Sequence, residues 1–144
     1  MKKLLLFVAV MVTMFAYSQP QVSIVDQKMV LSDNGTQTVL APNGDDASYF
    51  WASVSPDGQH IVYCTAHLGT YVCDIHGGNV QCMGRMNAPK WIDNTHVAGM
   101  QEFYNAEDEV DNVRYICRNL KGRQTRDLTM AERSNFIQQE NARL

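Results

Sequence analysis

The chain has no cluster of basic residues. Twelve Lys and Arg stand against fifteen Asp and Glu, and the only adjacent cations are Lys2 and Lys3. Binding of nucleic acid or an anionic lipid surface depends on grouped cations that neutralise phosphates, so neither is expected as a partner. Its four cysteines include no Cys-x-x-Cys pair, and no two of its four histidines have helical ligand spacing, which argues against a zinc site. None of its nine glycines belongs to a Gly-x-Ser-x-Gly elbow, and there is no His-Glu-x-x-His helix. No catalytic residue and no cofactor is therefore expected. Nor does any apolar run reach the roughly twenty residues that a membrane-spanning helix needs.

One shorter apolar run is present. Lys2 and Lys3 precede a stretch from Leu4 to Ala16, followed by Ala16-Tyr17-Ser18 and then Gln19-Pro20. Charged start, apolar middle and small residues at the end are the pattern of a secretory signal peptide, with cleavage expected after Ser18. No cysteine near that point could carry a lipid anchor. The expected product, residues 19–144, has no integral membrane segment, has the length of one domain and is periplasmic or secreted. Loss of Lys2 and Lys3 leaves ten basic against fifteen acidic side chains, a net charge of about minus five.

Beyond the leader the dominant signal is a repeat. Three segments share one form: Val30 to Leu40 around Asn34-Gly35, Cys73 to Met83 around Gly77-Gly78, and Cys117 to Leu128 around Lys121-Gly122. Each is an apolar strand, a polar turn with glycine, and a second strand ending on a large apolar residue. Gly35, Gly78 and Gly122 lie 43 and 44 residues apart, the period of a four-stranded propeller blade. Glycine suits that place because tight hairpin turns require positive φ. Between these segments, Trp51 to Ser55, the turn Ser55-Pro56-Asp57-Gly58, and Gln59 to Thr65 read as strand, turn, strand. Pro89 to Met100 repeats the shape without the Pro-Asp-Gly chemistry.

Val54-Ser55-Pro56-Asp57-Gly58, Ile61-Val62-Tyr63, Tyr71-Val72-Cys73-Asp74 and Gly77-Gly78-Asn79 together resemble the repeat of TolB-type, WD40-like β-propellers. They are more weakly similar to the propellers of prolyl-oligopeptidase-like peptidases. The resemblance spans about residues 21–130. It implies an all-β chain of about two and a half antiparallel four-stranded blades: half a blade at 21–42, one at 50–84 and one at 89–129. Closed propellers usually have four to eight blades, so three arrangements stay open: part of a longer product, a protomer that assembles with copies of itself, or a short open stack. For residues 131–144, Thr129 and Glu132 form a candidate capping box and good helix formers follow, although Phe136-Ile137 could equally begin a further strand.

Cys64, Cys73 and Cys82 are nine residues apart, the spacing of two successive hairpins with two-residue turns. That register sets Cys64 opposite Cys73, and Cys73 opposite Cys82, within disulfide reach in an exported chain. The competing reading is ordinary strand packing, since cysteine is also a small buried hydrophobe and Cys117 holds the same repeat position as Cys73. Trp51 and Trp91, at blade-strand starts, are expected to pack between sheets. Glu107, Asp108, Glu109 and Asp111 lack the ligand alternation of a calcium loop and read as a solvated surface loop.

The least regular connections, 43–48, 66–70 and 103–111, are where binding residues fit without disturbing strands. Asp45, Asp46, His67, Glu107, Asp108 and Glu109 are the candidates there. The resemblance implies a non-catalytic envelope protein that binds or scaffolds a protein partner, or associates with itself. The alternative is a truncated substrate-gating propeller of a prolyl-oligopeptidase-like serine peptidase.

Overall fold

The computed structural model describes residues 18–67 and 69–143; residues 1–17, and with them nearly all of the expected leader, lie outside the described residues. Strands β1 (Gln21–Val25), β2 (Lys28–Asp33) and β3 (Thr36–Leu40) form a first sheet. A middle sheet holds β4 (Tyr49–Val54), β5 (His60–Thr65), β6 (Thr70–Asp74) and β7 (Gln81–Gly84). The third holds β8 (Asn87–Trp91), β9 (His96–Tyr104), β10 (Val110–Asn119) and β11 (Thr125–Asp127), and helix α1 (Met130–Asn141) follows. All three sheets are antiparallel meanders in chain order, so the fold is all-β with one C-terminal helix, as expected. The first sheet has three strands, not the two of half a blade. Its β2–β3 hairpin corresponds to β6–β7 and β10–β11, so the strand it lacks is the first of the four.

Alternation along β5 explains the stacking. Ile61 and Tyr63 face the first sheet, in a core with Met29, Leu31, Leu40, Tyr49 and Cys73. Val62, between them, faces the third sheet in a second core with Val72, Met83, Met86, Val97 and Ile116. Successive strand side chains point to opposite faces, so the apolar run Ile61-Val62-Tyr63 serves two cores at once. Each such side chain contributes about 1.5–3 kcal/mol through burial. Trp51 and Trp91 pack against the second core, and the Trp91 indole Nε1 donates to the Ser53 carbonyl at 3.0 Å, joining β8 to the free edge of β4.

Helix α1 begins where the sequence places it. Glu132 N donates to Thr129 Oγ1 at 3.2 Å and Thr129 N to Glu132 Oε2 at 2.9 Å, which completes the capping box. The same carboxylate accepts two bonds from Arg126, at 2.7 and 2.9 Å. Phe136 is the buried residue of the helix and meets the Tyr115 ring edge-on at 5.8 Å, while Lys90 lies over the Phe136 ring and pairs with Glu140. The helix thus covers the outer face of the third sheet.

Two sequence readings need correction at the turns. Asn34 and Gly35 both have positive φ (47° and 80°) and make the two-residue β2–β3 turn. Beyond β6, however, the Asp74 carboxylate accepts from His76 N at 2.9 Å, Gly78 N at 2.8 Å and Asn79 Nδ2 at 2.8 Å, which builds a longer turn. The left-handed glycine in it is Gly77 (φ 85°), not Gly78, so Gly35, Gly77 and Gly122 share the role. The β5–β6 connection is longer too. Cys64 therefore pairs with Thr70, Cys73 with Ile61 and Cys82 with Tyr71. The opposed-cysteine register is absent and all four thiols are free; burial pushes the Cys73 thiol up to about 12.

At the β8 edge of the third sheet, Ala88 is left-handed (φ 50°), the pairing with β9 is irregular between Asn87 and Lys90, and Pro89 follows.

Candidate functional site

Strand direction sorts the connections. Because each sheet is a meander, connections alternate between its two ends, and the segments 41–48, 66–69 and 105–109 fall at the same end of their respective sheets. The repeat motif lies at the other end and is structural. There Ser55, buried, donates from Oγ to Asp57 Oδ1 at 2.6 Å and accepts from His60 N at 3.0 Å. Gly58 N donates to the Ser55 carbonyl at 2.9 Å with Gly58 at φ 72°. The Ser55 hydroxyl holds the Asp57 carboxyl below its ordinary value. Gln19 Nε2 donates to the Pro56 carbonyl at 2.8 Å, which ties the start of the described chain to this turn.

The loop carrying Asp45 and Asp46 is held from below by buried tyrosines. Tyr63 donates its hydroxyl to Asn43 Oδ1 at 2.6 Å, and Tyr49 OH accepts from Asn43 N at 2.9 Å. Burial raises both phenols, Tyr63 more strongly, so they stay neutral donors at any physiological pH. The rings of Tyr49 and Tyr71 lie 5.7 and 5.6 Å from that of Tyr63. Lys28 Nζ donates to the Asp45 carbonyl, Tyr49 N to the Gln27 carbonyl at 2.9 Å, and Ala66 N to the Ser48 carbonyl at 3.0 Å. The structure thus joins the Asp45–Asp46 loop to the one that exposes His67.

Glu107, Asp108 and Glu109 are exposed on the third of these loops. Asn105 shapes it: its Oδ1 accepts from Glu107 N at 3.0 Å and Glu109 N at 2.9 Å, with Asp108 at φ 59°. No hydrogen bond links it to the first two loops among the described residues, so the six candidates form one pair of joined loops and one neighbour. Asn43, Tyr49 and Tyr63 were missed as supports. Their trace in the sequence is one tyrosine in each of β4 and β5, which does not say where a hydroxyl points.

A groove of about 780 Å³ runs along the edge strands β4 and β8, lined by Trp51, Ser53, Pro89, Trp91, Gln19 and Arg143 among others. Among the described residues no three His, Cys, Asp or Glu side chains converge in metal-binding geometry, and no described helix is long and apolar enough to cross a membrane.

No family model matches the sequence, and no curated protein matches it. Among solved structures the chain is similar to one described as "AtxE2 Isopeptidase - APO", with a TM-score of 0.56 at 13% identity over 82% of this chain. The chain spans 30% of the length of that isopeptidase, and the likeness is one of fold.

Proposed function

We propose that this chain is an exported, non-catalytic protein of the bacterial envelope, a partial β-propeller of the TolB-like kind, that binds a protein partner through its loop end. The observation that carries this reading is the buttressed loop pair. Asp45 and Asp46 stand on a loop fixed by two buried tyrosines and bonded to the segment that carries His67, which gives exposed polar groups a rigid base, as preorganised binding requires. Glu107, Asp108 and Glu109 extend the acidic surface at that end, so a partner with a basic face suits it. The test is capture from an envelope extract by the wild-type chain and by a variant with all five carboxylates changed to their amides. A partner retained by the first and lost by the second supports the reading; equal capture overturns it.

The likeness to a longer isopeptidase, of which the chain spans 30%, favours a second reading, a segment akin to the substrate-gating propeller of a prolyl-oligopeptidase-like serine peptidase. A longer product with a Gly-x-Ser-x-Gly elbow beyond Leu144 would select it.

A further inference from the structure

We infer that Asn34 is a site of spontaneous covalent modification, at which water replaces the side-chain amide, and that the fold directs this reaction to Asn34 while sparing Asn43. The sequence holds two Asn-Gly pairs, Asn34-Gly35 and Asn43-Gly44. Asparagine ahead of glycine is the pair best suited to ring closure, because no Cβ hinders the glycine nitrogen as it swings onto the asparagine side chain. The glycine N attacks the asparagine Cγ and gives up its proton, a C–N bond forms, and the side-chain nitrogen leaves as ammonia. Water then opens the resulting succinimide at either of its carbonyls. One opening yields aspartate and the other isoaspartate, and no oxidant or reductant is needed.

Both asparagines are exposed, so solvent access does not separate them. Hydrogen bonding does. Asn43 Oδ1 accepts from the Tyr63 hydroxyl at 2.6 Å and Asn43 N donates to Tyr49 OH at 2.9 Å. The nitrogen that would attack, Gly44 N, donates to the Ala41 carbonyl at 2.9 Å. In Asp57-Gly58 the glycine nitrogen is committed in the same way, to the Ser55 carbonyl at 2.9 Å. Asn34-Gly35 has no such restraint. The β2–β3 ladder ends at the Asp33–Thr36 pair, and among the described residues no hydrogen bond holds the Asn34 side chain or the Gly35 N–H. A Cβ built on Gly35 would meet nothing within 4 Å, so no neighbour obstructs the approach of the reacting atoms.

The two products differ in consequence. Aspartate keeps the backbone and adds a negative charge beside Asp33. Isoaspartate moves a methylene into the backbone of a two-residue turn, which disturbs the register that pairs Asp33 with Thr36. Strand β3 is an edge of the first sheet and carries Leu40 into the first core, so this sheet loosens first as the protein ages.

The test is incubation of the folded chain at mildly alkaline pH, with peptide mapping by mass spectrometry at intervals and a parallel sample in urea. Asn34 is expected to convert in the folded chain. Asn43, which must first break its hydrogen bonds, should convert about tenfold or more slowly. In urea the two rates should converge, since only the local sequences remain. Tyr63→Phe, which deletes the donor to Asn43 Oδ1, should quicken Asn43 and leave Asn34 unchanged. Equal rates in the folded chain, or an Asn34 that stays intact there while it converts in urea, overturns the inference. Rates that stay as far apart in urea would place the difference in the sequence and overturn the role given to the fold.

Discussion

Gly35 and Gly122 occupy the same place in two copies of the repeat, yet their surroundings differ, which turns a pair of alanine substitutions into a test of how the sheets meet. Both have positive φ, 80° and 64°, so Ala at either carries the left-handed penalty of roughly 1–2 kcal/mol. At Gly35 an added Cβ meets nothing within 4 Å, and the expected loss stops there. At Gly122 it would sit 2.6 Å from the Cys82 carbonyl oxygen and 3.6 Å from Met83 Sδ. The near atom is backbone of the middle sheet, so the β10–β11 turn must lift away from β7, an overpacking strain of about 1–3 kcal/mol. Gly122→Ala should therefore cost about 2–5 kcal/mol in all, and exceed Gly35→Ala by at least about 1 kcal/mol. Urea unfolding followed by circular dichroism reads both, with equal slopes and displaced midpoints. Equal losses at the two glycines would refute the close approach of the second and third sheets.

Ser55→Ala should cost about 1–3 kcal/mol, because it strips the His60 N–H of its acceptor at a buried site; chemical denaturation checks this, and a loss under about 0.5 kcal/mol would contradict the turn. Arg126 and the Thr129 N–H hold the Glu132 carboxyl down at about 2, against 4.5 ordinarily. A depressed folded-state value contributes stability above the unfolded pKa that is lost as pH falls through the folded one, so the helical signal should decline between about pH 4.5 and 2, and Arg126→Met should narrow that window; an unchanged profile in the variant would exclude the pair as its cause. Of the four free thiols, Cys82 is exposed while Cys73 and Cys117 are buried, so a thiol reagent should modify Cys82 rapidly in the native protein and all four after unfolding. A total of two after unfolding would instead reveal a disulfide.

Features fixed by chemistry within five residues were legible in the sequence. Asn34-Gly35, Ser55-Pro56-Asp57-Gly58 and the Thr129–Glu132 cap each close on themselves, so residue order alone determines them. The cysteine register was not legible because it depends on turn length. A nine-residue spacing implies opposed cysteines only if both turns have two residues, and the Asp74 carboxylate, gathering three N–H groups, favours a longer one. An Asp ahead of Gly-Gly was the available signal. The loop end was half legible: irregular connections marked the segments, and counting strands would have put them at one end. Their support was not, since the Tyr63–Asn43 bond spans twenty residues and the Trp91–Ser53 bond thirty-eight.

The free edge of β8 bears on how copies of this chain keep apart while they fold. Each sheet, as it forms, offers an unpaired ladder to every other copy. Pro89 has no N–H to give an incoming strand, and the left-handed Ala88 beside it kinks the ribbon so that a straight partner cannot follow. The third sheet thus carries its own block against runaway cross-strand polymerisation, built into the backbone of its edge strand.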